Sequence, residues 1–419
     1  MASSDGDGLT RSPIPLAALL TANVISAIGN LFTTIAVPWF VLQTTGSAAK
    51  AGITGAVTAL SFVASFFGGT LVDRIGFKRV SVGGDLTSGL AVALIPLLYH
   101  TVGLAFWQLL VLVFLRAVCN TPGNTARLGL LPDLIARAGA RKERVNGIYQ
   151  ATLSGASLVG TALTGVIIAL IGTSNILWLD AGSFLFSATV VGLAVPVAGS
   201  AALTDARRAY WHDLATGWRF LIRDRLQLRT TTLATLVNFV GAALFGVILP
   251  VYAQRVYGTA VALGALFAGA SAGTLLGSVV YTVTALRLSR HRVFLVGAGL
   301  LSATFWLLVP FPALGIAVVA MVLRGLSTGL IAPLFVLVSQ ERVPPELRGR
   351  VFGTGQALAT LATPLGTLLA GYWVSQAGLR GALLGLGVFT LAVSVWAATN
   401  RVLRELDALV QAGAIPDHG

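Results

Sequence analysis

The chain has 419 residues, 56% hydrophobic and only 10% charged, with a mean hydropathy of +0.85. Soluble domains carry about 25% charged residues, so this composition excludes an ordinary soluble fold. The formal net charge of +13 would suit a nucleic-acid partner in a soluble protein, but here the basic residues fall between apolar stretches in a pattern that points to a membrane.

In chain order, apolar stretches run at 14–44, 48–72, 80–99, 103–124, 145–171, 175–197, 230–254, 259–286, 293–311, 313–338, 351–376 and 381–400. Most reach the roughly 20 residues a helix needs to cross a hydrocarbon core. The 48 glycines suit helices that pack closely in lipid. The expected fold class is an all-α membrane protein of twelve transmembrane helices. Residues 1–13 carry Asp5 and Asp7 without a basic flank, and the first stretch is too long for a signal-peptide core, so it is expected to be retained. With the N-terminus inside, the inner connections collect most of the Lys and Arg, including Arg74, Lys78, Arg79, Arg137, Arg141, Arg207, Arg208, Arg342 and Arg348. The outer ones hold Lys50, Arg255 and Arg380. That bias predicts both termini in the cytoplasm and accounts for the net charge without nucleic acid. The preference for Arg over Lys suggests a GC-rich bacterial genome, hence the inner (plasma) membrane of a bacterium.

Several chemistries lack their residues. The single cysteine, Cys119, excludes an internal disulfide and argues against a cysteine metal cluster. No histidine lies centrally in a span, and there is no His-Glu-x-x-His or Gly-x-x-x-x-Gly-Lys-Ser/Thr pattern. No metal, cofactor or enzymatic activity is expected, and ATP is not the energy source.

Glycine and proline positions repeat. Gly29, Pro38, Gly46 and Gly52 match Gly241, Pro250, Gly258 and Gly264, each 212 residues later. Arg144-Val145-Asn146-Gly147 matches Arg350-Val351-Phe352-Gly353, and Gly160-Thr161-Ala162-Leu163-Thr164-Gly165 matches Gly366-Thr367-Leu368-Leu369-Ala370-Gly371, both at 206. Arg116 and Arg324 stand 208 apart. The expected organisation is an N-terminal tail 1–13, a six-helix half 14–197, a linker 198–229, a second six-helix half 230–402 and a tail 403–419. Parallel repeats of this kind place a substrate site between the halves near mid-membrane. In the linker, Asp213 to Arg225 reads as a short amphipathic helix on the inner surface, with Arg219, Arg223 and Arg225 toward lipid headgroups.

The run Gly68 to Arg79 is a dense cluster of charge between two apolar spans. Gly69 permits close helix packing, Gly76 a tight turn, and Asp73 can accept hydrogen bonds from a helix N-terminus. Gly69, Asp73, Arg74, Gly76 and Arg79 resemble the loop between helices 2 and 3 of the major facilitator superfamily. Phe77 departs from the usual basic residue. The stretches Pro122 to Arg127, Leu131 to Leu134 and Glu346 to Gly353 are similar to the macrolide-exporter branch of the drug:proton antiporters, over roughly 14–402.

The resemblance implies a major facilitator fold of two pseudo-symmetric halves. It implies alternating access, a latch formed by the Gly69–Arg79 residues against helix 11, and export of bulky lipophilic molecules in exchange for protons. Arg116, in the fourth span, resembles a cavity-lining arginine implicated in proton coupling, with Asn120 where a glycine usually stands. Thr161 replaces the proline of the helix 5 antiporter motif.

Among carboxylates, only Asp85 and Asp180 fall inside the assigned spans. Asp180 is a candidate proton carrier. Asp85 is expected to pair with basic residues of the adjacent loop and is a second proton candidate. Candidate cavity residues are Asn23, Asn30, Phe32, Asn120, Asn238, Phe245, Arg324 and Phe335. The expected partners are a lipophilic small molecule, protons and the bilayer, in a monomer without nucleic acid. Export of a siderophore, lipid or other metabolite on the same scaffold is the alternative.

Overall fold

The computed structural model describes residues 12–64, 75–196, 206–284 and 289–404. Among these the regular structure is helical. The helices are α1 (Ile14–Thr45), α2 (Ala48–Ala64), α3 (Phe77–Thr101), α4 (Phe106–Ala138), α5 (Lys142–Ile171), α6 (Thr173–Ala194), α7 (Ala206–Arg223), α8 (Arg225–Tyr257), α9 (Ala260–Thr284), α10 (Arg290–Leu308), α11 (Leu314–Arg342), α12 (Arg348–Thr399) and the short α13 (Arg401–Arg404). Ten of the described helices are long and apolar enough to cross a membrane. Two further spans of the twelve are α2, whose description stops at Ala64, and one half of α12, which breaks at Gly378 (φ 73°).

The twofold repeat is visible in the backbone. Left-handed residues stand at helix ends or breaks at Gly46 and Gly258, Gly103 and Phe311, and Gly172 and Gly378, spaced by 212, 208 and 206 residues. Phe311 (φ 54°) adopts a conformation that normally favours glycine; its ring packs 5.7 Å from Tyr252 and 5.2 Å from the Arg380 guanidinium. The N-caps of α3 and α10, Gly76 and Ser289, stand 213 apart.

Two compact units emerge. The first comprises Met1–Thr33, Ser61–Gly160 and Ser174–Thr204. Its α3 and α4 touch closely at Gly84, where an added Cβ would lie 2.8 Å from the Cys119 carbonyl oxygen and 3.3 Å from Gly123 Cα. A core of Leu16, Leu19, Leu130, Leu134 and Val191 closes one end. The second unit comprises Thr34–Leu60, Thr161–Thr173 and Asp205–Gly419. It includes two stretches that the sequence repeat assigns to the first half. The physical reason is a pair of glycine crossings. A Cβ on Gly52 of α2 would meet Thr367 O at 2.6 Å and Gly371 Cα at 3.0 Å on α12. One on Gly165 of α5 would meet Ala260 O at 2.6 Å and Gly264 Cα at 2.7 Å on α9. Gly52 and Gly264, like Gly165 and Gly371, are repeat mates, so the two crossings are the same contact with its partners exchanged.

Several helices run past the ends assigned from hydropathy. α4 continues to Ala138 through Pro122 and Pro132, because buried Leu130, Leu131 and Leu134 give it a packed face beyond the membrane stretch. The linker helix begins at Ala206, ahead of the expected Asp213. Leu221 buries against Val343 and Val351, and a Cβ on Gly217 would lie 2.5 Å from the Arg350 carbonyl oxygen, so one face of α7 seats on the start of α12. Arg219, Arg223 and Arg225 are exposed. α8 is interrupted by two π-helical turns, Leu244–Ile248 and Ala253–Tyr257, which hydropathy does not reveal.

Candidate functional site

In the first unit, three helices bring polar groups to one buried point. Arg116 sits ten residues along α4, about 15 Å from its start at 1.5 Å per residue. Its Nη2 donates to Asn30 Oδ1 of α1 at 2.6 Å and lies 3.6 Å from Asp180 Oδ2 of α6. Its guanidinium also lies 5.7 Å from the centre of the Phe184 ring. The Thr33 hydroxyl donates to Asp180 Oδ2, and the Ser183 hydroxyl reaches Oδ1 at 3.3 Å. Asp180 is 0% exposed and Arg116 6%. Gly29 makes the room: a Cβ there would meet Asp180 Oδ1 at 2.5 Å and collide with Ser183. Sequence reasoning named Asp180, Arg116 and Asn30 separately. Thr33 and Ser183 were missed, although each lies three residues from a named partner on the same helix face.

A second buried cluster corrects the expectation for Asp85. Its carboxylate pairs with Arg127, and the Ser187 hydroxyl donates to it at 2.7 Å. Arg127 belongs to α4 rather than to the adjacent loop, and it is 3% exposed. Its spacing of eleven residues from Arg116, about three turns, was the available signal. The stretch assigned from hydropathy, 103–124, stops three residues short of Arg127.

The remaining candidates scatter. Asn23 and Phe32 are buried in the first unit at 9% and 8% exposure. Asn120 accepts from Asn124 Nδ2 at 2.9 Å. Asn238 is exposed and bonds back to the Ala234 carbonyl. Phe335 packs on Phe294, 6.3 Å between ring centres, in the apolar cluster of the second unit. Phe245 lies in the first π turn, 5.3 Å from the Phe267 ring and 6.0 Å from the Arg324 guanidinium. Arg324 is 4% exposed; its Nη1 donates to Thr328 Oγ1 at 2.5 Å. Of the latch residues, Gly69, Asp73 and Arg74 lie outside the described residues. Gly76 (φ 91°) caps α3, and Arg79 is exposed. Phe77 packs against Val80 and Ala126, which gives the unusual aromatic a structural role. Among the described residues, no group of three His, Cys, Asp or Glu is placed to hold a metal ion.

A family model for the Major Facilitator Superfamily matches residues 19–263 and 231–412. The chain belongs to the Major Facilitator Superfamily. Multidrug efflux pump Tap of Mycobacterium tuberculosis (strain ATCC 25618 / H37Rv) is 34% identical over 404 residues, covering 95% of this chain and 96% of that protein. Macrolide efflux protein A of Streptococcus pyogenes is 22% identical over 392 residues, 91% and 95% of the two chains. The fold also matches the crystal structure of the nucleoside transporter NupG, with a TM-score of 0.71 at 12% identity over 91% of this chain and 98% of that one. A bacterial homologue of the iron transporter ferroportin, in an inward-facing state, matches with a TM-score of 0.70 at 15% identity over 92% and 99%. The superfamily fold accounts for the twelve-span architecture and its internal repeat.

Proposed function

We propose that this chain exports lipophilic drug-like molecules by alternating access, in exchange for protons. It is a transporter rather than an enzyme, works as a monomer, and lies in a bacterial inner membrane with both termini in the cytoplasm. The drug class is supported by the end-to-end similarity to Tap. The observation that carries the coupling is the Asp180 cluster: a fully buried carboxyl within a span, beside one fixed cation that has a second partner. Protonation of Asp180 frees Arg116 to rest on Asn30 alone, and deprotonation draws it back. Because Asn30 is on α1, Arg116 on α4 and Asp180 on α6, this exchange alters the contacts among three helices. An intramembrane ionisable pair of this kind reads as a functional site. The halves 14–197 and 230–402 are the moving bodies in this reading, with Gly69, Asp73, Arg74, Gly76 and Arg79 as the latch between states.

The test is accumulation of a lipophilic cationic dye in inverted vesicles under an imposed pH gradient, comparing wild type with Asp180→Asn and Arg116→Ala. Gradient-driven accumulation lost in Asp180→Asn supports the reading. Accumulation indifferent to that change moves the proton to another group, with Asp85 next. Absence of dye transport by folded protein counts against broad drug export.

A further inference from the structure

Arg324 and Arg116 are repeat mates, yet among the described residues only Arg116 has an internal counter-charge. The register of each span is given by the left-handed residues, and it places Ala242, Phe245 and Leu386 where Asn30, Thr33 and Asp180 stand in the first half. Both acceptors around the guanidinium, and the hydroxyl that donates to the carboxylate, are therefore gone. Among the described residues, no carboxylate pairs with Arg324; Thr328 is its hydrogen-bond partner and its Nε has none. Leu386 lines an apolar cavity of about 250 Å³, with Phe239, Ala243, Gly366 and Trp373.

The other polar cluster supplies an internal control. Gly84 and Gly297 make equivalent contacts with α4 and α11, 213 residues apart. In that register Asp85, Arg127 and Ser187 become Ala298, Phe335 and Val393, so the second half replaced acid, base and hydroxyl together. Phe335 and Val393 pack on its apolar cluster. A buried ion pair can be exchanged for apolar side chains without loss, whereas a buried charge left alone is costly. At Arg324 the cost is retained: the acid is lost and the cation kept. A π turn beside it, carrying Phe245, is a backbone irregularity common at functional sites.

We propose that Arg324 is the docking point for an anionic oxygen, a carboxylate or its equivalent, carried by the transported molecule. The proposal rests on the transport reading and adds the substrate group that the second half recognises. A guanidinium matches a carboxylate in charge and geometry. Arg324 lies ten residues along α11, about 15 Å from its outer start, near the middle of a hydrocarbon core about 30 Å thick. That depth favours a transported molecule over a lipid headgroup as the source of the anion.

The test uses a matched pair of dyes in proteoliposomes, rhodamine 110, which bears a free carboxylate, and rhodamine 123, its methyl ester. Arg324→Gln is expected to raise the KM for the acid by at least about tenfold, the size that follows from losing a hydrogen bond to a charged group. The KM for the ester should move less than about twofold. Leu386→Asp, which restores the counter-charge of the first half, should abolish the preference for the acid while thermal stability is kept, and this second variant keeps the test open if Arg324→Gln does not fold. Transport of both dyes unaffected in both variants, or reduced equally for both dyes, overturns the anion site and leaves the exporter intact. Wild type that moves the ester but never the acid overturns it as well. Folded wild type that moves neither dye overturns both readings. Adding vesicles rich in anionic lipid checks the other source: loss of the acid preference there would assign Arg324 to lipid and overturn the proposal.

Discussion

Removing Asp85 alone should be far more damaging than removing the whole cluster it belongs to. In the structure Arg127 Nη2 pairs with Asp85, while Nε and Nη1 have no hydrogen-bond partner among the described residues. Asp85→Ala therefore leaves a guanidinium that is 3% exposed with none of its nitrogens matched, and leaves the Ser187 hydroxyl without its acceptor. Breaking a buried pair by removing one partner costs about 3–5 kcal/mol. The triple replacement Asp85→Ala, Arg127→Phe, Ser187→Val copies the second half, where Phe335 and Val393 pack on an apolar cluster and Ala298 is buried. Apolar replacement of a buried ion pair is neutral or stabilising by about 1–4 kcal/mol. Arg127→Phe alone strands the carboxylate but should fall between, since the Ser187 hydroxyl still donates to it. The assay is thermal unfolding of the detergent-purified protein by intrinsic fluorescence, with dye transport measured in parallel. The expected order of midpoints is Asp85→Ala lowest and the triple variant at or above wild type. A triple variant as unstable as Asp85→Ala would refute the internal-repeat argument. Unchanged stability of Asp85→Ala would refute the burial argument. If the triple variant is stable yet loses dye accumulation, Asp85 takes a part in coupling.

Other predictions use different contacts. Gly165→Ala puts a methyl where Ala260 O and Gly264 Cα stand within 2.7 Å, so α5 and α9 must separate by about 1 Å, at a cost of about 1–3 kcal/mol for overpacking; a midpoint equal to wild type would contradict the crossing. Gly29→Ala should displace Asp180 or Ser183 and reduce gradient-driven dye accumulation while the protein still reaches the membrane; full activity would show that the site tolerates the shift. Glu341→Gln removes a bidentate partner of Arg290 at 2.6 and 2.8 Å, yet both side chains are partly solvated. Its expected cost is below about 1 kcal/mol, and a larger loss in thermal unfolding would give that pair a structural weight the geometry does not.

The twelve spans, the repeat and the positive-inside bias are properties of hydropathy and spacing, and each can be read from the chain without coordinates. Asp180 and Arg116 were legible for the same reason: a charge in an apolar span is conspicuous. Their partners were not, because Thr33, Ser183 and Ser187 are common residues in membrane helices. Only a side-chain position three-dimensionally opposite a carboxylate distinguishes them. Arg127 fell outside the stretch assigned at 103–124 because falling hydropathy marks where the membrane ends, not where packing ends.

Local pattern thus determined that the chain crosses a membrane as two related halves, since the free energy of moving apolar residues out of water depends on composition alone. Tertiary structure decided which charges are matched. It paired Arg116 with Asp180 and Arg127 with Asp85, and among the described residues gave Arg324 no acid, because the partner of a buried charge is chosen by distance in space, across 64 residues of chain in the first case and 42 in the second.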